Sequence, residues 1–273
     1  MSEQAERARR FLALHRPGDP VLLPNAWDVG SAKLFQSLGA QALATTSSGH
    51  AAALGRLDGG VSRDEAIEHA AALTEATGLP VTGDFEDCFA REPEGVAETV
   101  RHAIEAGLAG CSVEDFTRDA ADPIYELGPA TERVAAAVEA IRSSGAPFVL
   151  TARCDNHLRG RDDLDDTIAR LRAYREAGAH ALYAPGLRRI EDVRRLIDAV
   201  DGPVNVLAGR GVPPVAELAE AGAARVSVGG SFAFVAYGAA VRAARELLES
   251  GTYEGWAEQK RTGVDAARDA FGP

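Results

Sequence analysis

The feature that most limits the folds open to this chain is a repeated passage from glycine into a short apolar run. Four runs are entered through Gly18-Asp19-Pro20, Gly78-Leu79-Pro80, Gly145-Ala146-Pro147 and Gly202-Pro203. The four between them are entered through Gly39-Ala40, Gly107-Leu108, Gly178-Ala179 and Gly222-Ala223. Each glycine is expected at the left-handed position that ends a helix, and each run behind it reads as a buried strand. The expected strands are 21–24, 42–45, 81–84, 111–114, 148–152, 182–185, 204–207 and 226–228, with helical patterns between most of them. Eight strands alternating with helices argue for a parallel α/β fold, and the number points to a closed (β/α)8 barrel of the TIM type. The two kinds of entrance suit a barrel whose odd and even strands fill different interior layers.

Residues 1–273 are read as one such barrel, led in by an amphipathic helix at about 3–15 and followed by helices at about 232–270. The apolar residues Phe232, Phe234, Val235 and Tyr237 suggest packing on a neighbouring subunit, although packing within the chain is equally compatible. Net charge is −12 and the basic residues are scattered without interleaved aromatics, which excludes a nucleic-acid partner. No apolar run approaches a membrane span, and the polar start has no secretory core. Three cysteines without metal-like spacing read as reduced thiols in a cytoplasmic protein. Lys33 and Lys260 are the only lysines and both fall in helical patterns, so Schiff-base and pyridoxal chemistry are disfavoured.

In α/β barrels the chemistry sits at the carboxyl ends of the strands. Those ends carry Asn25, Thr45 to Gly49, Asp84 and Glu86, Glu114 and Asp115, Arg153 and Asp155, and Asn205, whereas the opposite ends are mostly Gly, Pro and Ala. Asp84, Glu86 and Asp87 put three acids within four residues, and like charges crowded in a partly desolvated mouth raise one another's pKa. A hard divalent cation removes that cost, so Asp84, Glu86 and Glu114 are the candidate ligands of Mg2+ or Mn2+, some through water. A solvated acidic turn is the plainer alternative for such a stretch by itself. Arg153 could hold a carboxylate or phosphonate through two parallel hydrogen bonds, or neutralise the acids beside it. Thr46, Ser47 and Ser48 form a small-residue turn whose N–H groups could hold an oxyanion, or a plain turn. Asp58, in the loop after the second strand, could fold over the mouth as a base. Period-two alternation turns Cys111 and Cys154 away from the barrel interior, and Cys88 has no evident base beside it. Gly209, Gly211 and Gly229-Gly230-Ser231 could form a phosphate site or simply tight turns.

Taken together, Leu23-Pro24-Asn25-Ala26-Trp27-Asp28, Thr45-Thr46-Ser47-Ser48-Gly49, Leu54-Gly55-Arg56-Leu57-Asp58, Gly83-Asp84-Phe85-Glu86, Val113-Glu114-Asp115, Ala152-Arg153-Cys154-Asp155 and Asn205-Val206-Leu207-Ala208 resemble the isocitrate lyase/phosphoenolpyruvate mutase superfamily over roughly residues 8–252. The resemblance implies a barrel that exchanges its last helices within a dimer or tetramer, and Mg2+ chelated by a 2-oxo acid or enolate. On it, Asp84, Glu86 and Glu114 match the metal shell. Arg153, Asp58 and Ser47 match the catalytic set, and Thr46, Ser47, Ser48, Asn25 and Asn205 the substrate contacts. The chain departs from the pattern after the fourth strand. The lyases carry a Lys-Lys-Cys-Gly-His or Lys-Arg-Cys-Gly-His loop there, whereas this chain has Phe116-Thr117-Arg118-Asp119-Ala120-Ala121-Asp122-Pro123. Glycines usual in the family are replaced by Cys88 and Ala90.

The expected function is a Mg2+-dependent carbon–carbon lyase or decarboxylase acting on a small 2-oxo or 2-hydroxy dicarboxylate through a pyruvate-enolate-like intermediate. Decarboxylation suits the missing cysteine, because departing CO2 needs no acid. The competing expectations are phosphorus–carbon bond chemistry on a phosphonate, by a mutase or hydrolase, and a non-catalytic 2-oxo acid binding protein of the same fold.

Overall fold

Pro24 has no N–H to give to a ladder, and the first staff of the sheet divides there into β1 (Val21–Leu23) and β2 (Asn25–Ala26). The two halves pair on opposite sides, β1 with β9 (Arg225–Ser227) and β2 with β3 (Leu43–Thr45), all in parallel. Between them run β4 (Val81–Gly83), β5 (Gly110–Glu114), β6 (Val149–Arg153), β7 (Ala181–Tyr183) and β8 (Val204–Leu207). The strand order β1-β9-β8-β7-β6-β5-β4-β3-β2 closes through the chain at Pro24, which makes a TIM-like barrel of eight staves. The structure is a computed structural model and describes residues 2–272.

The helices are α1 (Glu3–Ala13), α2 (Val29–Ser37), α3 (Ser47–Ala53), α4 (Arg63–Thr77), α5 (Pro93–Glu105), α6 (Leu127–Ser144), α7 (Leu164–Glu176), α8 (Ile190–Ala199), α9 (Val215–Glu220), α10 (Ser231–Arg245) and α11 (Ala257–Phe271). Expected strands and observed strands agree within two residues at each end. The left-handed glycines are found at seven of the eight entrances (Gly18, Gly39, Gly78, Gly107, Gly145, Gly178 and Gly222). Gly202 is the exception, because α8 ends in an extended Val200 and the chain leaves without a left-handed residue.

Alternation along each strand separates two apolar regions. Val81, Cys111, Val113, Leu150, Ala152, Leu182 and Val206 face the helices and form the main core. Val21, Leu23, Ala42, Ala44 and Val149 face inward and pack on Ala8 and Phe11 of α1, which closes the amino-terminal end of the barrel. Ser2 caps α1, and Gln4 donates to the carbonyls of Leu108 and Pro147, so the plug is tied to the strand entrances. The upper interior is therefore a pocket with a floor.

His15 follows the plug, is buried, and lies 2.8 Å from the Phe11 carbonyl through Nδ1. Burial first, then the nearby Arg225, lowers its pKa from 6.5 to about 3. The unfolded chain takes up this proton near pH 6.5 and the folded chain declines it until about pH 3. The His15 contribution is thus complete above pH 6.5 and is lost as the pH falls toward 3. A His15→Gln variant should show a flatter melting temperature across that window than the parent. An unchanged acid slope would count against it.

At the other end of the chain α11 lies against α2, with the Phe271 ring 3.8 Å from the position a Cβ would take on Gly30. Phe232, Phe234, Val235 and Tyr237 on α10 are 41%, 52%, 68% and 38% exposed, and Leu248 is 82% exposed. The single chain leaves this apolar surface uncovered, and exchange of helices with a neighbour is not seen in it. Among the described residues no helix is long and apolar enough to cross a membrane.

Candidate active site

The carboxyl ends of the strands open into a cavity of about 210 Å3. Asp84, Arg153, Asp58, Thr46, Ser47, Ser48 and Asn25 line it, together with Tyr183, Thr151, Ser112, Ser227 and Arg225. Seven of the residues expected from the sequence therefore share one cavity.

Asp84 is placed by two bonds, one to Thr45 of β3 and one from Ser47 at the start of α3. Its N–H donates to Thr45 Oγ1 at 2.7 Å, and its Oδ2 accepts from the Ser47 N–H at 2.9 Å. The small-residue turn expected at residues 46–48 takes the form of a helix start. Those residues are the first turn of α3, Thr46 is its N-cap, and the Ser47 N–H is committed to a carboxylate of the protein. The hydroxyls of Ser47 and Ser48 remain in the cavity wall. Gly230 lets Ser48 come close, since a Cβ there would lie 2.5 Å from Ser48 Oγ.

Arg153 ends β6 with its side chain 13% exposed. Its Nε and Nη2 bind the two oxygens of fully buried Asp155, at 2.6 and 3.2 Å. The remaining nitrogen, Nη1, pairs with Glu114 and stands 3.7 Å from Asp84. The expectation of a free guanidinium fork for the substrate is corrected on this point: that edge is held by Asp155, and Nη1 is aimed at the mouth. Asp155 is held in turn by Arg159 at 3.3 Å, and its N–H donates to Asp115. Asp115 accepts from Tyr174 at 2.7 Å and from Arg170, so a buried network sets the position of Arg153.

The loop after β4 carries strain. Glu86, Cys88 and Phe89 have φ of 50°, 56° and 57°, in the left-handed region that non-glycine residues seldom use. Buried Arg133 of α6 holds it by donating to the carbonyls of Asp87, Ala90 and Arg91. Cys88 thus takes a left-handed backbone that glycine would adopt without strain, with its Sγ 3.4 Å from the Ser112 carbonyl. Glu86 points beneath α3 into a small adjoining cavity with His50, His69 and Asp84. Burial raises its carboxyl to about pKa 7 against the pull of Arg118, and burial also pushes Glu114 well up.

Arg118 is a site residue that the sequence did not single out. The loop after β5 folds back through a Phe116–Ile124 bridge and puts Arg118 at its tip with φ 65°. There it reaches Glu86 at 3.2 Å, Asp87 at 2.8 Å and the Gly59 carbonyl at 3.4 Å, joining three mouth loops. No periodicity marks a loop arginine, so only its cation beside many acids could have suggested the role. Asp58, exposed on the loop that Arg118 touches, faces the cavity.

Two asparagines serve as struts. Asn25 Oδ1 accepts from the N–H groups of Val228 and Gly229, and its Nδ2 donates to the Thr45 carbonyl. The Gly229 N–H is therefore used within the protein. Asn205 is outside the cavity lining. Its amide binds Ser227 Oγ at 2.9 Å and accepts from Arg225 Nε at 3.0 Å.

Among the described residues no three His, Cys, Asp or Glu side chains converge closely enough to hold a metal directly. Asp84, Glu86 and Glu114 stand apart because Arg153 lies between the first and last and Arg118 covers the middle one. The set still fits a hard cation that keeps most of its water. Every donor is a carboxylate oxygen, Asp84 faces open space, and burial raises the Glu86 carboxyl despite the Arg118 guanidinium beside it. The three cysteines are buried and line no part of the cavity. A triple Cys→Ser variant should therefore keep most of its turnover while losing roughly 1–3 kcal/mol of stability. Loss of turnover by orders of magnitude in the folded variant would contradict this placement.

The phosphoenolpyruvate phosphomutase family matches the chain over residues 11–248. A crystal structure from Burkholderia cenocepacia J2315, provisionally described as a lyase/mutase, is 50% identical with a TM-score of 0.89, covering 92% of this chain and 91% of that one. An uncharacterized protein of Mycobacterium tuberculosis is 34% identical over 241 residues, 88% of this chain and 89% of its own length. The 2-methylisocitrate lyase of Escherichia coli K12 is 31% identical over 211 residues, 71% of this chain and 70% of that protein. With its parallel barrel and its acids and arginine gathered at the strand ends, the chain belongs to the phosphoenolpyruvate mutase/isocitrate lyase superfamily, a group of lyases, hydrolases and mutases of small carboxylates.

Proposed function

We propose that the protein is a divalent-metal-dependent lyase or decarboxylase that breaks a carbon–carbon bond in a small 2-oxo or 2-hydroxy dicarboxylate, through a pyruvate-enolate-like intermediate. The observation that carries the reading is the anchoring of Arg153. A carboxylate pair with Asp155 holds the guanidinium so that Nη1 meets Asp84 and Glu114 at the mouth of a hydroxyl-lined cavity. Asp84, Glu86 and Glu114 would hold Mg2+ or Mn2+, which would supply Lewis-acid polarisation of a 2-oxo group.

The chain's own residues divide the remaining work. Arg153 Nη1 binds the carboxylate of the substrate and orients it toward Asp84. Ser47 and Ser48 give hydroxyl donors where negative charge grows on the substrate oxygen. Asp58, on the mouth loop, takes or returns the proton at the carbon that becomes the enolate carbon. Arg118, bridging Gly59 to Glu86 and Asp87, holds that loop over the cavity and limits water. No lysine lines the cavity, in keeping with a route that needs no Schiff base.

Phosphorus–carbon chemistry is the second reading, favoured by the family that matches residues 11–248. Proton and phosphorus NMR of the protein with Mg2+ and a mixture of oxaloacetate, alkylmalates and phosphonopyruvate separates the two. The first reading expects a pyruvate-type product and no change in the phosphorus spectrum. Turnover of phosphonopyruvate alone would replace it with the second, and no metal-dependent turnover at all would favour a binding protein.

The working form is proposed to be a dimer or tetramer in a cytoplasmic setting, with the α10 surface covered by a neighbour. Phe234, Val235 and Leu248 leave 52%, 68% and 82% of their surface exposed in the single chain. Light scattering is expected to give a mass of at least twice 28.6 kDa, and a stable monomer would sink the proposal.

A further inference from the structure

Arg225 opens β9, and period-two alternation with Ser227 turns its side chain into the barrel rather than toward the helices. It is 5% exposed. A buried guanidinium ordinarily has a carboxylate beside it, because an uncompensated buried charge is costly. The other deeply buried arginines follow that rule or bind several backbone carbonyls. Arg153 has Asp155 and Glu114, Arg170 has Asp115 and Asp166, and Arg133 binds three backbone carbonyls. Arg225 does neither. Among the described residues it has no carboxylate within 4 Å, and its partners are Asn205 Oδ1 at 3.0 Å, Thr151 Oγ1 at 3.0 Å and His15 Nε2 at 3.5 Å. All three are neutral, His15 included, since burial keeps its ring unprotonated. The cost of this arrangement shows in Arg225 itself, whose pKa burial lowers to about 10.

Among the described residues Arg225 makes its hydrogen bonds through Nε and Nη1 and none through Nη2, and the side chain lines the same cavity as Asp84 and Arg153. The two arginines lie at different depths. Arg225 binds Thr151, which is two residues before Arg153 on β6, a separation of about 6.5 Å along a strand. Around the lower cation the wall is made of hydroxyls (Thr82, Ser112, Thr151, Tyr183 and Ser227), whereas Asp58 and Asp84 stand toward the mouth. Burial raises Tyr183 to about pKa 12, so it stays a donor. The floor is therefore positive and rich in donors.

We propose that Arg225 receives a second, inward-pointing anionic group of the substrate, so that the site selects small 2-oxo acids with an anion at both ends. The proposal rests on the reading of the mouth as a metal-assisted 2-oxo acid site, and it adds the end of the molecule that the mouth does not touch. Asn205 and Thr151 then act as struts that hold the guanidinium on the floor, which accounts for the amide that was expected to meet substrate.

The test is isothermal titration, with Mg2+ present, of oxaloacetate, phosphonopyruvate and 2-oxobutyrate, the last having a methyl group where the others have the distal anion. Wild-type protein is expected to bind at least one dianion roughly tenfold or more tighter than 2-oxobutyrate. Which of the two is preferred tells whether the lower subsite takes a carboxylate or a phosphonate. In Arg225→Met that preference should collapse toward one, with 2-oxobutyrate affinity kept within about twofold. Equal binding of 2-oxobutyrate and both dianions by wild type overturns the proposal, as does an equal loss for all ligands in the variant. If Arg225→Met does not fold, the wild-type ratio decides alone. Failure of every 2-oxo acid to bind wild type in a Mg2+-dependent way is a different result: it removes the reading of the mouth, and the Arg225 proposal with it.

Discussion

Asp84→Ala is expected to lower Mg2+-dependent turnover by on the order of a thousandfold or more while the barrel stays folded. Asp84 faces the cavity, and its two backbone-linked contacts lie at the end of the sheet, outside the apolar core. Its removal frees the Ser47 N–H, which the cavity can hydrate, so the stability change should stay near 1 kcal/mol. Circular dichroism and melting temperature give the folding control, and turnover on whichever substrate the NMR mixture identifies gives the effect. A variant that keeps its turnover, or that loses its fold, would show that Asp84 has another job.

Arg153→Met should be worse on both counts. The guanidinium is the shared partner of Asp155, which is fully buried, and of Glu114, which is 4% exposed. Removing it leaves two buried acids with reduced compensation, a loss expected at about 3–5 kcal/mol when one member of a buried pair is deleted. Part of that loss should be recovered at low pH, because burial already pushes the Glu114 carboxyl toward its protonated form. Arg153→Lys keeps a charge but not the fork that Asp155 grips, and should retain most of the stability while activity falls by about a hundredfold. Equal stability in the Met variant and the parent would mean that Arg159 alone satisfies Asp155.

Much of this arrangement could be read before any coordinates. The glycine entrances mark helix ends because few other residues accept a left-handed backbone, and short apolar runs behind them have to be buried. Polar residues gathered at one end of those strands pointed to the mouth, and alternation correctly sent Cys111 and Cys154 toward the helices. What was missed lies where neither period nor composition speaks. Nothing local says that Pro24 divides the first staff, since that depends on which neighbour each half must pair with. Thr46 to Gly49 hold small residues that suit a turn or a helix start equally, and the N-cap bond of Thr46 decides it. Arg225 was left outside the last strand because that strand was begun at Val226. Counting back two from Ser227 would have put it on the inner face. Arg118 and the grip of Asp155 on Arg153 depend on side-chain reach across loops, which sequence spacing does not encode.

The central claim is that this mouth generates and quenches an enolate of a 2-oxo acid, and it can be tested without knowing the physiological substrate. Pyruvate is incubated with the protein in D2O, with and without Mg2+, and the methyl signal is followed by proton NMR. The expected result is metal-dependent loss of the methyl protons to solvent deuterium, absent in Asp84→Ala and strongly slowed in Asp58→Asn. A methyl signal that decays no faster with protein and Mg2+ than with Mg2+ alone, under conditions where pyruvate is shown to bind, would contradict the account.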